Sequence, residues 1–167
     1  AFSLRARLCA AKCLCGIAQL VNMVTEPVLH CVRDYYWGCI LCEDFEGYDG
    51  DYEHLAGDGP FFAVDDQITI QVVNSRMADP QDAAVELNVY VHTAPVPSCD
   101  HASVILLRSG ILVLGDADRF DEVSLRPGRW LLQADLDPHR SDEARWVTVH
   151  LSPADTREMP ASTQAPV

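Results

Sequence analysis

Residues 85–92 alternate apolar and polar side chains without interruption, and this pattern restricts the fold more than any other feature of the chain. The apolar positions are Val85, Leu87, Val89 and Val91, and the polar positions are Glu86, Asn88, Tyr90 and His92. Successive side chains of a β-strand point to opposite faces, so the pattern predicts a strand with one face in a core and one in water.

Short strand-like runs continue to residue 151, separated by turn residues and without a helical pattern between them. The segments 28–32 and 36–42 are rich in β-branched and aromatic residues and are predicted to form one or two strands. Further strands are predicted at 61–64, 67–73, 102–107, 111–114, 120–125, 130–136 and 146–151. The expected fold is mainly β: an antiparallel β-sandwich of about eight or nine strands with one N-terminal α-helix.

The chain divides into three predicted regions. Residues 1–27 form a cysteine-rich helix, in which Arg5, Lys12, Gln19 and Glu26 recur every seven residues and Pro27 ends the helix. Lys12 interrupts the apolar run, so a membrane span is not expected. Residues 28–151 form the β-sandwich domain. Residues 152–167 are dominated by Pro, Ser, Thr and Ala and are expected to be a disordered tail.

Seven cysteines are unevenly distributed, six of them before residue 43. An odd number, with no pairs in the strand-rich half, favours free thiols in a cytoplasmic protein. Cys39 and Cys42 have the spacing of a metal knuckle, but on a strand they point to opposite faces. We expect packing cysteines, no metal and no cofactor.

The common catalytic motifs are absent, so no catalytic residue is predicted and the chain is expected not to be an enzyme. His92 and His150 occupy outward-facing strand positions, where an exposed histidine is ordinary. Tyr35, Tyr36 and Trp37 fit either core packing or a binding platform.

Acidic residues are concentrated between residues 34 and 75, which hold ten Asp or Glu and no Lys or Arg. The whole chain has a formal net charge of −13. Such a field repels nucleic acid and anionic membranes and attracts basic proteins. The segment 43–60 is predicted to be a long loop, a length that often indicates function.

The order of several segments resembles the competence protein J family of nuclease inhibitors and the related β-sandwich immunity proteins of bacterial toxin systems. The resemblance rests on residues 35–44, on 59–64 leading to 68–72, and on 85–92, 111–114 and 123–132. It implies a small acidic β-protein that binds and blocks a nuclease. The helix at 1–26 departs from the family pattern.

The sequence therefore predicts an inhibitor or immunity protein that presents carboxylates to a basic nuclease or toxin. The predicted contact residues are Glu43, Asp44, Glu46, Tyr48, Asp49, Asp51, Tyr52 and Glu53. Charge complementarity would speed encounter, and the tyrosines would anchor the complex. A homodimer is also compatible with the sequence.

Two alternatives stay open from the sequence. One is a calcium- or ligand-binding module of the C2 type, because Asp-rich loops offer hard oxygen ligands. Its candidate ligands are Asp116, Asp118 and Asp121 in one loop and Asp135, Asp137 and Asp142 in another. The other is a structural subunit of a larger assembly.

Overall fold

The structure is a computed structural model that describes residues 26–48, 59–64, 66–137 and 144–154. It contains ten strands: β1 (Leu29–Asp34), β2 (Cys39–Asp44), β3 (Phe61–Val64), β4 (Gln67–Gln71), β5 (Ala84–Val91), β6 (His101–Leu107), β7 (Ile111–Gly115), β8 (Phe120–Ser124), β9 (Gly128–Leu136) and β10 (Trp146–Pro153). The mainly β fold predicted from the sequence is confirmed. The predicted helix and most of the predicted tail lie outside the described residues. The described residues contain no helix that is long and apolar enough to cross a membrane.

The strands form two five-stranded sheets. The first sheet has the order β1-β5-β10-β9-β6 and the second has the order β3-β4-β2-β7-β8. Seven of the eight pairings are antiparallel, but β10 pairs with β5 in parallel. Parallel neighbours need a long crossover, and the chain supplies one by building β6–β9 between them. The predicted antiparallel sandwich is therefore confirmed at seven pairings, and the pairing of β10 with β5 departs from it.

One hydrophobic core lies between the two sheets. Val85, Leu87 and Val89 are fully buried in it, as the alternation of β5 predicts. The second sheet contributes residues such as Ile70 and Leu112 to the same core. Glu86 is exposed on the opposite face of β5. The periodic pattern thus locates both the core face and the outer face of the first sheet.

Strand β2 differs most from its prediction. It begins at Cys39 rather than residue 36, and it continues through Glu43 and Asp44 instead of ending before them. Pairing explains the difference, because Glu43 lies opposite Val113 of β7 and Asp44 lies opposite Leu112. The loop predicted to start at residue 43 starts two residues later. Cys42 lies in the core, whereas the alternation of the strand turns Cys39 to the other face.

Three buried ionisable side chains, Tyr35 before strand β2 and Cys39 and Cys42 within it, make the free energy of unfolding sensitive to alkaline pH. Burial, aided by the nearby Asp116 carboxylate, raises the pKa of Cys39 from 9.0 to about 12. Burial also raises the pKa of Cys42 and, against the opposing charge of Arg33, the pKa of Tyr35. The folded protein therefore holds these protons more tightly than the unfolded chain does.

We expect these groups to make their full contribution to the free energy of unfolding at pH values below the ordinary thiol pKa. Above that pKa, the free energy of unfolding should fall as the pH rises. Each group contributes a slope of up to about 1.4 kcal/mol per pH unit above its ordinary pKa. Urea denaturation across the alkaline range measures the slope, and Cys42→Ala should reduce it. A stability that is constant or rising above pH 9 would contradict the burial of these groups.

Candidate protein-binding surface

Two of the predicted contact residues are buried structural groups. Glu43 and Asp44 are 6% and 4% exposed at the end of β2. Gln67 Nε2 donates to Glu43 Oε1 at 2.9 Å. The Asp44 carboxylate accepts from the Ser109 amide, at 3.0 Å to Oδ1 and 3.2 Å to Oδ2, and from the Ser109 hydroxyl. Because both carboxylates are buried, the prediction that Glu43 and Asp44 contact a partner directly is wrong.

The rest of the predicted patch is only partly described. Glu46 is exposed in the turn after β2, where the Gly47 amide donates to the Asp44 carbonyl at 2.9 Å. Tyr48 is half-buried. The remaining predicted contacts lie outside the described residues: Asp49, Asp51, Tyr52 and Glu53.

Clustering of acids along the chain does not produce an equal clustering of free carboxylates on the described surface. Asp34 is exposed at the end of β1. Asp66 instead forms an ion pair with Arg108 Nη2 at 2.9 Å. Among the described acids of residues 34–75, Asp34 and Glu46 therefore combine high exposure with no ion pair to an arginine.

An exposed aromatic pair lies in the turn between β1 and β2. Tyr36 and Trp37 are 44% and 46% exposed, and their rings meet edge to face with centroids 5.2 Å apart. The Arg76 guanidinium lies over both rings, 5.0 Å from the centroid of Tyr36 and 5.9 Å from that of Trp37. Tyr35, in contrast, is fully buried. Of the three aromatic residues considered as a binding platform, Tyr36 and Trp37 lie at the surface and Tyr35 lies in the core.

A second aromatic contact lies beside the turn between β7 and β8. Phe120, the first residue of β8, is 42% exposed, and its ring packs against Tyr48 with centroids 5.1 Å apart. Burial raises the pKa of Tyr48, and the carboxylates of Glu43 and Asp116 raise it further. The phenol therefore stays neutral and acts as a hydrogen-bond donor.

Asp116 joins the two aromatic contacts. Its side chain is buried, at 3% exposed, and Oδ2 accepts from the Tyr36 amide at 2.9 Å. Oδ1 accepts from the amides of Asp118 and Arg119, at 3.2 and 3.1 Å. The Asp116 carbonyl accepts from the Tyr48 hydroxyl at 2.8 Å. One residue thus fixes the β1–β2 turn, the β7–β8 turn and Tyr48 relative to one another.

We call the set Tyr36, Trp37, Tyr48 and Phe120 the aromatic surface. Two ring pairs, held beside two turns that Asp116 joins, can bury much area on a partner with little loss of side-chain entropy. Exposed charges adjoin it: Asp34 and Asp118 are negative, and Arg119 and the Arg76 guanidinium over Tyr36 and Trp37 are positive. The sequence marks Tyr36 and Trp37 as candidates for a binding platform, and both lie at the surface, but nothing near Phe120 in the sequence marks it.

Two of the three aspartates considered for calcium in the first acidic loop, Asp116 and Asp121, use carboxylate oxygens internally. Both Asp116 oxygens accept backbone amides, and Asp121 Oδ2 lies 3.0 Å from Arg33 Nη1. In the other loop, Asp135 lies beside a thiol and an imidazole rather than beside further described carboxylates, and Asp142 lies outside the described residues. The geometry of the described aspartates does not favour a calcium site.

Comparison with known proteins identifies the fold. No protein-family model matches the chain, and no curated protein sequence matches it. Among solved structures, the chain is similar to ComJ from Bacillus subtilis, an inhibitor of the DNA degrading activity of NucA. The TM-score is 0.54, with 8% identity over 77% of this chain and 98% of ComJ. A likeness to the crocagin biosynthetic gene J product has a TM-score of 0.49, 15% identity, and coverage of 75% and 96%. The chain therefore has the fold of ComJ.

Proposed function

We propose that this chain is a non-enzymatic inhibitor that binds and blocks a basic protein, with a nuclease as the favoured target, in the cytoplasm. The observation that carries the proposal is the aromatic surface, which Asp116 holds rigidly at one end of a scaffold of the ComJ type. ComJ is itself an inhibitor of a nuclease.

The aromatic surface has the properties of an interface centre. Tyr and Trp are enriched among the residues that dominate binding energy, because their rings are large, rigid and amphipathic. Tyr36, Trp37 and Phe120 are each more than 40% exposed, so a partner could bury substantial apolar area on them. Their backbone is already fixed by hydrogen bonds, which lowers the entropy cost of association.

The negative charge of the chain favours a basic partner. A formal net charge of −13 attracts basic proteins and raises the rate of encounter with them. Among the described residues, Asp34, Glu46 and Asp118 carry exposed carboxylates. Each lies within two residues of a member of the aromatic surface in the sequence. We propose that Asp49, Asp51, Tyr52 and Glu53 extend the contact area, and that Glu43 and Asp44 support it from beneath.

The direct test is inhibition of DNA degradation. Extract of the source cell is fractionated by cation exchange, and each basic fraction that degrades DNA is titrated with the purified chain. We expect one activity to fall to zero at a fixed molar ratio, as in stoichiometric binding. Light scattering of the isolated chain separates partner binding from self-association. If every DNA-degrading fraction keeps its full activity in excess protein, the nuclease assignment is wrong.

Neutralising exposed carboxylates tests the electrostatic part. The variant Glu46→Gln/Asp118→Asn should slow association with the inhibited protein several-fold at low salt and flatten the salt dependence of the rate. Glu86→Gln is the matched control, because Glu86 is exposed on the outer face of the first sheet. Stopped-flow fluorescence at two salt concentrations measures both effects. Equal rates for the two variants would remove Glu46 and Asp118 from the contact.

A further inference from the structure

A compact group of metal-ligating side chains lies on the outer face of the first sheet, separate from the aromatic surface. Cys99 Sγ, one oxygen of Asp135 and one ring nitrogen of His150 all lie within 4.8 Å of one another. Asp135 Oδ2 is 3.7 Å from Cys99 Sγ and 3.7 Å from His150 Nε2. All three side chains are half-buried. A thiol, a carboxylate and an imidazole therefore converge on one point.

The fold brings these groups together through a loop that is bound to the sheet. Asp135 lies on β9 and His150 lies on the neighbouring antiparallel strand β10. The alternation of side chains along each strand places both on the same face of the sheet. Gln133 holds the β5–β6 loop over that face, because its side chain donates to the Val96 carbonyl and accepts from the Val96 amide, each at 2.8 Å. The Asp100 amide then donates to Asp135 Oδ1 at 3.2 Å. Cys99 is thereby fixed above the two strands.

A second histidine orients the first. His92 Nε2 lies 2.9 Å from His150 Nδ1, so one of these nitrogens donates to the other. The Tyr90 ring stacks on both imidazoles, with centroids 6.3 Å from His92 and 5.6 Å from His150. When His150 Nδ1 carries the proton and donates to His92, the lone pair of Nε2 points toward Asp135. Ligating histidines in metal sites are commonly held by such a second hydrogen bond.

We propose that Cys99, Asp135 and His150 form a zinc site, with His92 positioning the imidazole of His150. Zinc binds sulfur, nitrogen and oxygen ligands at about 2.0 to 2.3 Å, which places neighbouring tetrahedral ligands about 3.3 to 3.7 Å apart. Two of the three separations are 3.7 Å, at the upper end of that range, and the third, between Cys99 and His150, is within 4.8 Å. Three protein ligands leave the fourth position to water or a small anion.

Zinc binding would displace the thiol proton to solvent and leave a thiolate ligand. The site is independent of the proposed inhibitor function.

The test uses the full chain carrying Cys9→Ser, Cys13→Ser and Cys15→Ser, so that other thiols of the N-terminal region do not contribute. Metal-stripped protein is titrated with Co(II), and Zn(II) affinity is measured by competition with a chromophoric chelator. We expect one metal per chain and a near-ultraviolet thiolate-to-cobalt charge-transfer band. Cys99→Ser should abolish the band, whereas Cys31→Ser, another half-buried thiol, should retain it. His92→Gln should keep the band and weaken zinc binding about 10- to 100-fold.

Melting of the metal-free variants controls for folding, because only the metal-induced rise in melting temperature should be lost in Cys99→Ser, Asp135→Asn and His150→Gln. A saturable band that persists in Cys99→Ser, or an absence of one-to-one binding in the folded parent, would overturn the proposal. Neither outcome bears on nuclease inhibition, which is measured separately with the unsubstituted chain.

Discussion

Replacing Asp116 with alanine should lower the free energy of unfolding by about 3 kcal/mol or more, because three amides lose a charged acceptor. The amides belong to Tyr36, Asp118 and Arg119, and the carboxylate that they bind is buried. Urea denaturation at neutral pH measures the loss. Asp116→Asn keeps one acceptor oxygen, so its effect should fall between those of alanine and the parent.

The matched control is Asp118→Ala in the same turn. Asp118 is exposed, and its substitution should change stability by less than about 0.5 kcal/mol. Asp116→Ala should also weaken binding to the inhibited protein, because the Tyr36 amide loses the carboxylate that fixes the β1–β2 turn to the β7–β8 turn. Equal stability of Asp116→Ala and Asp118→Ala would mean that the two turns are held by other contacts.

Removing the exposed aromatic pair should have the largest effect on binding. We expect Tyr36→Ala and Trp37→Ala each to reduce affinity for the target by roughly 30-fold or more, equivalent to about 2 kcal/mol for a central interface residue. Both rings are nearly half exposed, so folding stability should change much less than binding does. Titration calorimetry with the inhibited protein measures affinity, and thermal melting measures stability.

Val64→Ala provides the control, since Val64 is also a large apolar residue, exposed on the edge strand β3. Its affinity should equal that of the parent. If Tyr36→Ala and Trp37→Ala bind as tightly as Val64→Ala, the aromatic surface is not the interface, and the sites outside the described residues become the better candidates.

Local periodicity predicted the framework well where one face of a strand is buried. Alternation along β5 identified Val85, Leu87 and Val89 as core residues, because period two follows directly from strand geometry. The parallel pairing of β5 with β10 was not predictable in this way. It depends on which strands become neighbours after an intervening segment of more than 50 residues, and periodicity carries no information about that.

The site was predictable only in part, for a related reason. Glu43 and Asp44 looked like loop carboxylates, but their hydrogen-bond partners, Gln67 and Ser109, lie 24 and 65 residues away in the chain. Composition indicated a basic partner, while the location of the exposed aromatics depended on tertiary contacts of Asp116. The proposed zinc ligands are likewise separated, since position 135 comes 36 residues after position 99. Neither arrangement leaves a compact motif.

Amide hydrogen exchange of the chain with and without the inhibited protein tests the binding surface most directly. We predict that complex formation slows exchange in the β1–β2 turn at residues 36–38, in the β7–β8 turn at 117–119 and at Phe120, while β6 and β9 keep their rates. Slowing confined to the outer face of the first sheet, with unchanged exchange in both turns, would contradict the account.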